Sequence, residues 1–357
     1  SVEDGEFRDT PLPNVDLTGY LILPGIIDLH GDAFERHIAP RPSAPFPIAT
    51  GIRNAERDAA THGVTTAWLA QCWSWEGGLR GPDFAEAVMA EFGACRDRAL
   101  IDLRLQIRAE THMVESHDRL LSAVERHGIG YVVFNNHLSE ALDAATHAPH
   151  RFATWAERAG RSVDSFRREL DRARAQEPRI PRHLLTLAEG FDRLGLRYGS
   201  HDDRDGDTRE RYRILGARIC EFPAGSSAAA VAKAMDDPVI MGAPNVVRGG
   251  SQGGGVSAMS LITRESCDAL VSDYHYPSLA DAAWVLSDLG VRSFAQAWEM
   301  ITTVPARIMG LADRGRIASG LRADFVVVNN TTRRIEATIS AGRIAYLSGA
   351  LAERLFS

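Results

Sequence analysis

Imidazoles and carboxylates recur in this chain at the polar ends of short apolar runs, and those are the groups that hold a divalent transition metal. His30-Gly31-Asp32 ends LILPGIIDLH, Glu110-Thr111-His112 ends LRLQIRAE, and His137 follows YVVF. His201-Asp202-Asp203 follows LRYGS, Glu221 lies in ARICEF, and Asp273 ends ALVSD. The spacing in His30-Gly31-Asp32 puts both side chains on one face of an extended strand, with a small residue between them. A second ion would need a shared anionic bridge. A carboxylated lysine cannot supply it, because the single lysine, Lys233, sits in the helix-period stretch AAAVAKAMDD. Glu110 is the available bridge. His30, Asp32, Glu110, His137, His201 and Asp273 are therefore expected to bind two zinc ions, with manganese or iron as alternatives. Asp273 also suits a general base that takes a proton from the attacking water. Glu221 reads equally as a ligand or as a buried carboxylate that orients a ligand imidazole. Asp202 and His112 are secondary candidates.

Such convergence needs elements that bring distant residues to one place. Eight apolar runs, from Leu21–His30 to Ala269–Asp273, alternate with helical segments such as Arg53–His62, Pro82–Ala94 and Leu279–Leu289. That alternation predicts an α/β fold, a (β/α)8 barrel over residues 23–311, with its site at the C-terminal strand ends. Residues 139–195 are long, polar and arginine-rich, and read as a helical insertion after the fourth strand, most of its charges on a solvated face. The end of the chain changes to strand–turn–strand. Residues 1–22 and 312–357 are expected to form a small β-domain. Trp68, Trp73 and Trp75, after the second strand, could stack on a substrate ring or pack in the core.

Of the 357 residues 45% are hydrophobic and 24% charged, an ordinary globular composition. No apolar run reaches the ~18 residues of a membrane span, and the acidic start has no signal-peptide core. The net charge of −7 disfavours nucleic acid and anionic membranes as partners and leaves a small anionic molecule to be met by local positive charge. The four scattered cysteines, with no CxxC, read as reduced thiols of a cytoplasmic protein. Homo-oligomerisation is left open.

LPGIIDLHGD, GVTT, the late SD and RGRIASGLRADFVVV resemble the amidohydrolase superfamily. More finely, HGDAFERH with PRP, WSWEGGLR, SHDD, EFP, MGAPNVVRGGS and SDYHYP resemble the phosphonate-metabolism protein M family. That resemblance implies a diphosphatase of the carbon–phosphorus lyase pathway. It would hydrolyse α-D-ribose 1-methylphosphonate 5-triphosphate to the 5-phosphate and pyrophosphate. The chain departs from the family's usual GGSH at Ser251-Gln252. A triphosphate needs focused cations. Arg36 and Arg41 follow the first strand, Arg108 precedes Glu110, and Arg248 lies in the glycine-rich stretch NVVRGGSQGGG with Asn245 and Ser251. Glycines let amides approach phosphate and arginine binds it bidentately. Asn245, Arg248, Ser251, Arg36 and Arg41 are the expected substrate contacts. The rival readings are a hydrolase of C–N bonds, which has no need of Arg248 in a glycine nest, and a non-catalytic phosphonate-binding subunit.

Overall fold

The computed structural model describes residues 15–41, 44–251 and 254–356, with the backbone of 2–3 and 6–7, so Gln252 lies outside the described residues. After a short hairpin, β1 (Val2–Glu3) and β2 (Glu6–Phe7), comes β3 (Tyr20–Pro24). The next eight strands form one parallel sheet in chain order: β4 (Ile26–Gly31), β5 (Val64–Trp73), β6 (Asp102–Glu110), β7 (Tyr131–Asn135), β8 (Arg197–His201), β9 (Ile219–Glu221), β10 (Val239–Gly242) and β11 (Ala269–Val271). Three more, β12 (Phe325–Asn329), β13 (Ile335–Ser340) and β14 (Arg343–Leu347), join β3 in an antiparallel sheet of order β14-β13-β12-β3.

The sheet curls until its first and last strands meet. Gly31 and Asp273 form a parallel bridge, Asp273 N donates to His30 O at 2.9 Å, and Asp32 N donates to Asp273 O at 2.8 Å. Beneath these bonds the buried Asp28 carboxyl accepts from Ser272 N at 2.9 Å and from Ser272 Oγ at 2.6 Å. A Cβ on Gly31 would lie 2.9 Å from Asp28 Oδ2 and 3.0 Å from Ser272 Oγ. Glycine here therefore makes room for the closing seam.

Inside the barrel Ile27, Leu29, Trp68, Tyr131, Val133, Ile219, Ile240 and Val271 pack together. Alternate strand residues face outward to the helices, as strands covered on both faces require. The run Leu21–His30 is two strands, not the one expected. The chain breaks at Gly25, where a Cβ would fall 2.4 Å from Thr65 Oγ1. An apolar run cannot reveal that its halves serve different sheets. After β7, the helices Leu138–His147, Pro149–Arg158 and Val163–Ala175 build a separate core around Phe152, Phe166 and Leu170. The fourth helix, Ile180–Arg193, packs on the barrel wall through Leu187, Ala188 and Phe191. The excursion from the barrel is thus the first three helices only. The tryptophans are core residues: Trp68 fills the barrel, Trp73 is buried and donates to Ser116 Oγ at 3.0 Å, and Trp75 packs on Phe166 of the insertion. Among the described residues no helix is long and apolar enough to cross a membrane.

The seam predicts a stability effect. Ser272→Ala leaves one oxygen of the buried Asp28 carboxyl without its donor, at a cost of about 1–3 kcal/mol. The denaturation midpoint should fall with an unchanged m value. A variant as stable as the parent would show that the backbone bonds alone close the barrel.

Candidate active site

At the C-terminal strand ends lies a cavity of about 920 Å³, lined by His137, His201, Asp202, Asp273, Asn245, Arg248 and Ser251 among others. The backbone is strained at this end. Asp202 (φ 60°), Phe222 (φ 50°) and Asp273 (φ 55°), which follow β8, β9 and β11, all hold left-handed conformations. Such strain in non-glycine residues gathers where function demands it.

One group of donors joins His30, His201 and Glu221, all buried. Glu221 lies too deep to reach solvent, and protein takes up its oxygens: Oε1 accepts from Gln106 Nε2 at 2.7 Å and Tyr131 OH at 2.5 Å, while Oε2 pairs with His30 Nδ1 at 2.9 Å. This bond fixes the His30 tautomer and leaves His30 Nε2 buried with no partner. Burial would lower the His30 pKa, but the Glu221 carboxylate outweighs it and raises it. Phe222 sits against both imidazoles, with ring centroids 5.0 Å from His30 and 4.9 Å from His201. Burial holds His201 below its ordinary pKa and so favours the neutral, ligating form.

A second group joins Glu76, Glu110 and His137. His137 Nδ1 lies 2.9 Å from Glu110 Oε1 and 3.0 Å from Glu76 Oε1. Against the effect of burial, these carboxylates push His137 up to about 9. Burial likewise opposes ionisation of Glu76, but Arg80 and His137 hold its carboxyl down to about 2. Glu110 also accepts from Asn135 Nδ2 and from His137 N. Between the groups lies Arg108, with Nη1 3.7 Å from Asp32 Oδ2 and Nη2 3.3 Å from His137 Nε2. Burial and then the charge of Asp32 raise Asp273 to about 7.

The donor chemistry fits a divalent metal. Asp32, Glu76, Glu110, Asp202, Glu221 and Asp273 gather more negative charge than Arg80 and Arg108 offset, and an orphaned imidazole nitrogen sits among them. Such groups are costly to bury without a cation.

The other expected residues scatter. Arg248 lies not in the glycine-rich loop but at the end of the helix Ala243–Arg248, which Gly249 stops with φ 78°. It donates to Tyr274 OH at 3.0 Å. Asn245 pins the following loop, accepting from Ala258 N at 3.0 Å, and Ser251 Oγ accepts from Gly255 N at 3.2 Å. Arg36 donates to the Tyr274 carbonyl, so it supports the residue that Arg248 leans on. Arg36, the exposed Arg41 and the buried His112 are not among the residues lining the cavity. Sequence reasoning did not single out Glu76, Arg151, Arg204 or Arg211. The last three line the cavity with Arg248, and only Arg204 carried a signal, its adjacency to SHDD.

The fold is an eight-stranded parallel barrel with a small antiparallel sheet beside it. Residues 257–346 match the model of an amidohydrolase family. The solved structure of dihydropyrimidinase from Brevibacillus agri NCHU1002 is similar with a TM-score of 0.61 at 14% identity, over 96% of this chain and 88% of that one. N-acetylglucosamine-6-phosphate deacetylase from Pasteurella multocida is similar with a TM-score of 0.59 at 11% identity, over 94% and 89%. In sequence the chain is 28% identical to the α-D-ribose 1-methylphosphonate 5-triphosphate diphosphatase of Escherichia coli K12, over 94% of this chain and 91% of that protein.

If Glu221 orients His30 rather than binding metal, Glu221→Gln should weaken zinc binding about 10- to 100-fold without changing stoichiometry. Competition with a chromophoric chelator measures this. Loss of a whole equivalent of zinc would make Glu221 a ligand.

Proposed function

We propose that this protein is a metal-dependent hydrolase of a phosphoanhydride. Its substrate is α-D-ribose 1-methylphosphonate 5-triphosphate or a close analogue, cleaved to the 5-phosphate and pyrophosphate. The observation that carries this is the cavity lining. Arg204, Arg211 and Arg248 come from separate elements to line one cavity with His137, His201 and Asp273, and Arg151 lines it paired with Glu140. A neutral amide has no use for that many guanidiniums. A triphosphate does, because arginine binds phosphate with two parallel, charge-assisted bonds. The 28% identity to the E. coli diphosphatase supports the same substrate. Cytoplasmic residence and a freely diffusing anionic substrate belong to this reading.

His30, His201 and Asp273 would hold the metal, with zinc the first choice for imidazole and carboxylate donors. When bound, the ion supplies Lewis acidity at the scissile phosphoryl group and lowers the pKa of water. The chain's own residues do the rest. Glu221 keeps His30 Nδ1 protonated so that Nε2 faces the site. Asp273, which lines the cavity next to the β4 end, takes the proton from the attacking water. Arg248, braced by Tyr274, and the arginines beside it hold the leaving pyrophosphate as its charge grows.

Incubation with the ribose-phosphonate triphosphate and with ATP should release pyrophosphate, not phosphate, and faster from the former. Release of neither product would refute the reading.

Two variants probe the roles. Asp273→Asn should lower kcat by two or more orders of magnitude, on the scale of a lost general base. Near-normal turnover would exclude that role. Arg248→Ala removes a contact worth about 1.5–3 kcal/mol, so kcat/KM should fall roughly 10- to 150-fold with normal metal content. Arg248→Lys should recover little. If the alanine variant turns over the triphosphate like the parent, hydrolysis of a C–N bond becomes the better reading.

A further inference from the structure

We propose that Arg108 takes the place of a second cation in this centre, so that the protein holds one divalent metal ion per chain and not two. The inference rests on the metal-dependent reading above. It arises from how this chain occupies its own donors.

A binuclear centre needs two ions about 3.5–4 Å apart, with a carboxylate free to bridge them and further donors on each side. The donors for a second ion would be Glu76, Glu110 and His137, with Asp32 beside Arg108, and each is already engaged, Glu76 by Arg80 at 3.2 Å. Asp32 Oδ2 faces Arg108 Nη1 at 3.7 Å. His137 is used at both ring nitrogens, with Nε2 3.3 Å from Arg108 Nη2 and Nδ1 against Glu110 and Glu76 at 2.9 and 3.0 Å. Glu110, the expected bridge, is turned to Asn135 Nδ2 and to the backbone and ring of His137. The His30 side differs: Nε2 is buried with no partner, and Glu221 holds the ring from behind.

Arg108 is placed there by the fold. It precedes Glu110 by two residues on β6, so both side chains project from the same face of that strand. It is 6% exposed and cannot swing into solvent. Its guanidinium stays charged at any working pH. Another cation at Asp32 and His137 would meet that fixed charge at ion-pair distance. The substitution also suits the chemistry. A guanidinium neutralises phosphoryl oxygens as a metal ion does, and it donates along defined directions. It cannot acidify water, and a single ion on the His30 side suffices for that. Arg108 Nε–H is buried without a partner in the protein.

Elemental analysis after zinc loading and removal of excess tests this. The parent should hold one equivalent. Arg108→Met, neutral and of similar reach, should move toward two. Arg108→Lys keeps a cation and should stay at one. Manganese-loaded parent should give the paramagnetic resonance of an isolated ion. Two equivalents or an exchange-coupled pair in the parent would overturn the proposal, as would Arg108→Met remaining at one. No bound metal in the parent would instead overturn the metal-dependent reading beneath it. The parent's stoichiometry decides even if the methionine variant does not fold.

Discussion

Everything chemical in this structure depends on how β4 meets β11. Both strands are short and share one bridge, Gly31 with Asp273, flanked by two backbone hydrogen bonds. The Asp28–Ser272 pair locks the register from below. A slip of one residue would turn every side chain of β11 to the opposite face. Asp273 would then leave the cavity, and His30 and Asp32 would lose their neighbour. The seam therefore holds the barrel closed and assembles the site in one contact. Polar groups do this work between two otherwise apolar strands. Apolar pairing fixes a strand's depth but tolerates sliding, whereas a buried carboxyl with two donors has one satisfied position.

From the seam outward, the site solves an electrostatic problem. For the proposed reaction it must receive a cation, so it gathers carboxylates; it must also receive a polyanion, which carboxylates repel. The structure separates the two demands in space. His30 and Glu221 are nearly or wholly buried at the strand ends, while Arg151, Arg211 and Arg248 are exposed and border the cavity. Arg108 belongs to the inner group and bridges the two in charge. Within a chain of net charge −7 the cavity wall thus carries four arginines, set among the carboxylates Glu140, Asp143, Asp202, Asp203 and Asp273.

The architecture and the inner donors were legible in the sequence for one reason. Strand count fixes which residues lie at strand ends before their identities are considered, and His30, Glu110, His201, Glu221 and Asp273 all fall there. What was not legible depends on three-dimensional competition. Nothing in LRLQIRAE says that Arg108 turns toward His137, or that three groups compete for the oxygens of Glu221. Glu76 escaped although it lies in WSWEGGLR, because that stretch follows β5 in a loop and was read for its tryptophans. The left-handed Asp202 and Asp273 have no signature either, since aspartate tolerates that region without requiring it. Arg36 and Arg41 are outside the cavity lining, because nearness in sequence to a strand end is not nearness to the cavity. Arg36 turns back to the Tyr274 carbonyl instead.

The same barrel supports dissimilar hydrolases, so the fold cannot choose the bond that is cut. In this chain the choice falls to parts outside the repeat. The insertion after β7 contributes Arg151, and its core reaches back to Trp75, one residue before Glu76. Trp155 of the same insertion lies 6.5 Å from His137, ring to ring. An element that looks peripheral in the sequence is therefore packed directly on the inner site. Any shift of its helices would move a rim arginine and press on His137 together. The cavity rim and the geometry around His137 are thus mechanically joined. Binding energy gathered far from the reacting atoms can in this way be spent on alignment at them, which is how an enzyme turns affinity for a large substrate into rate.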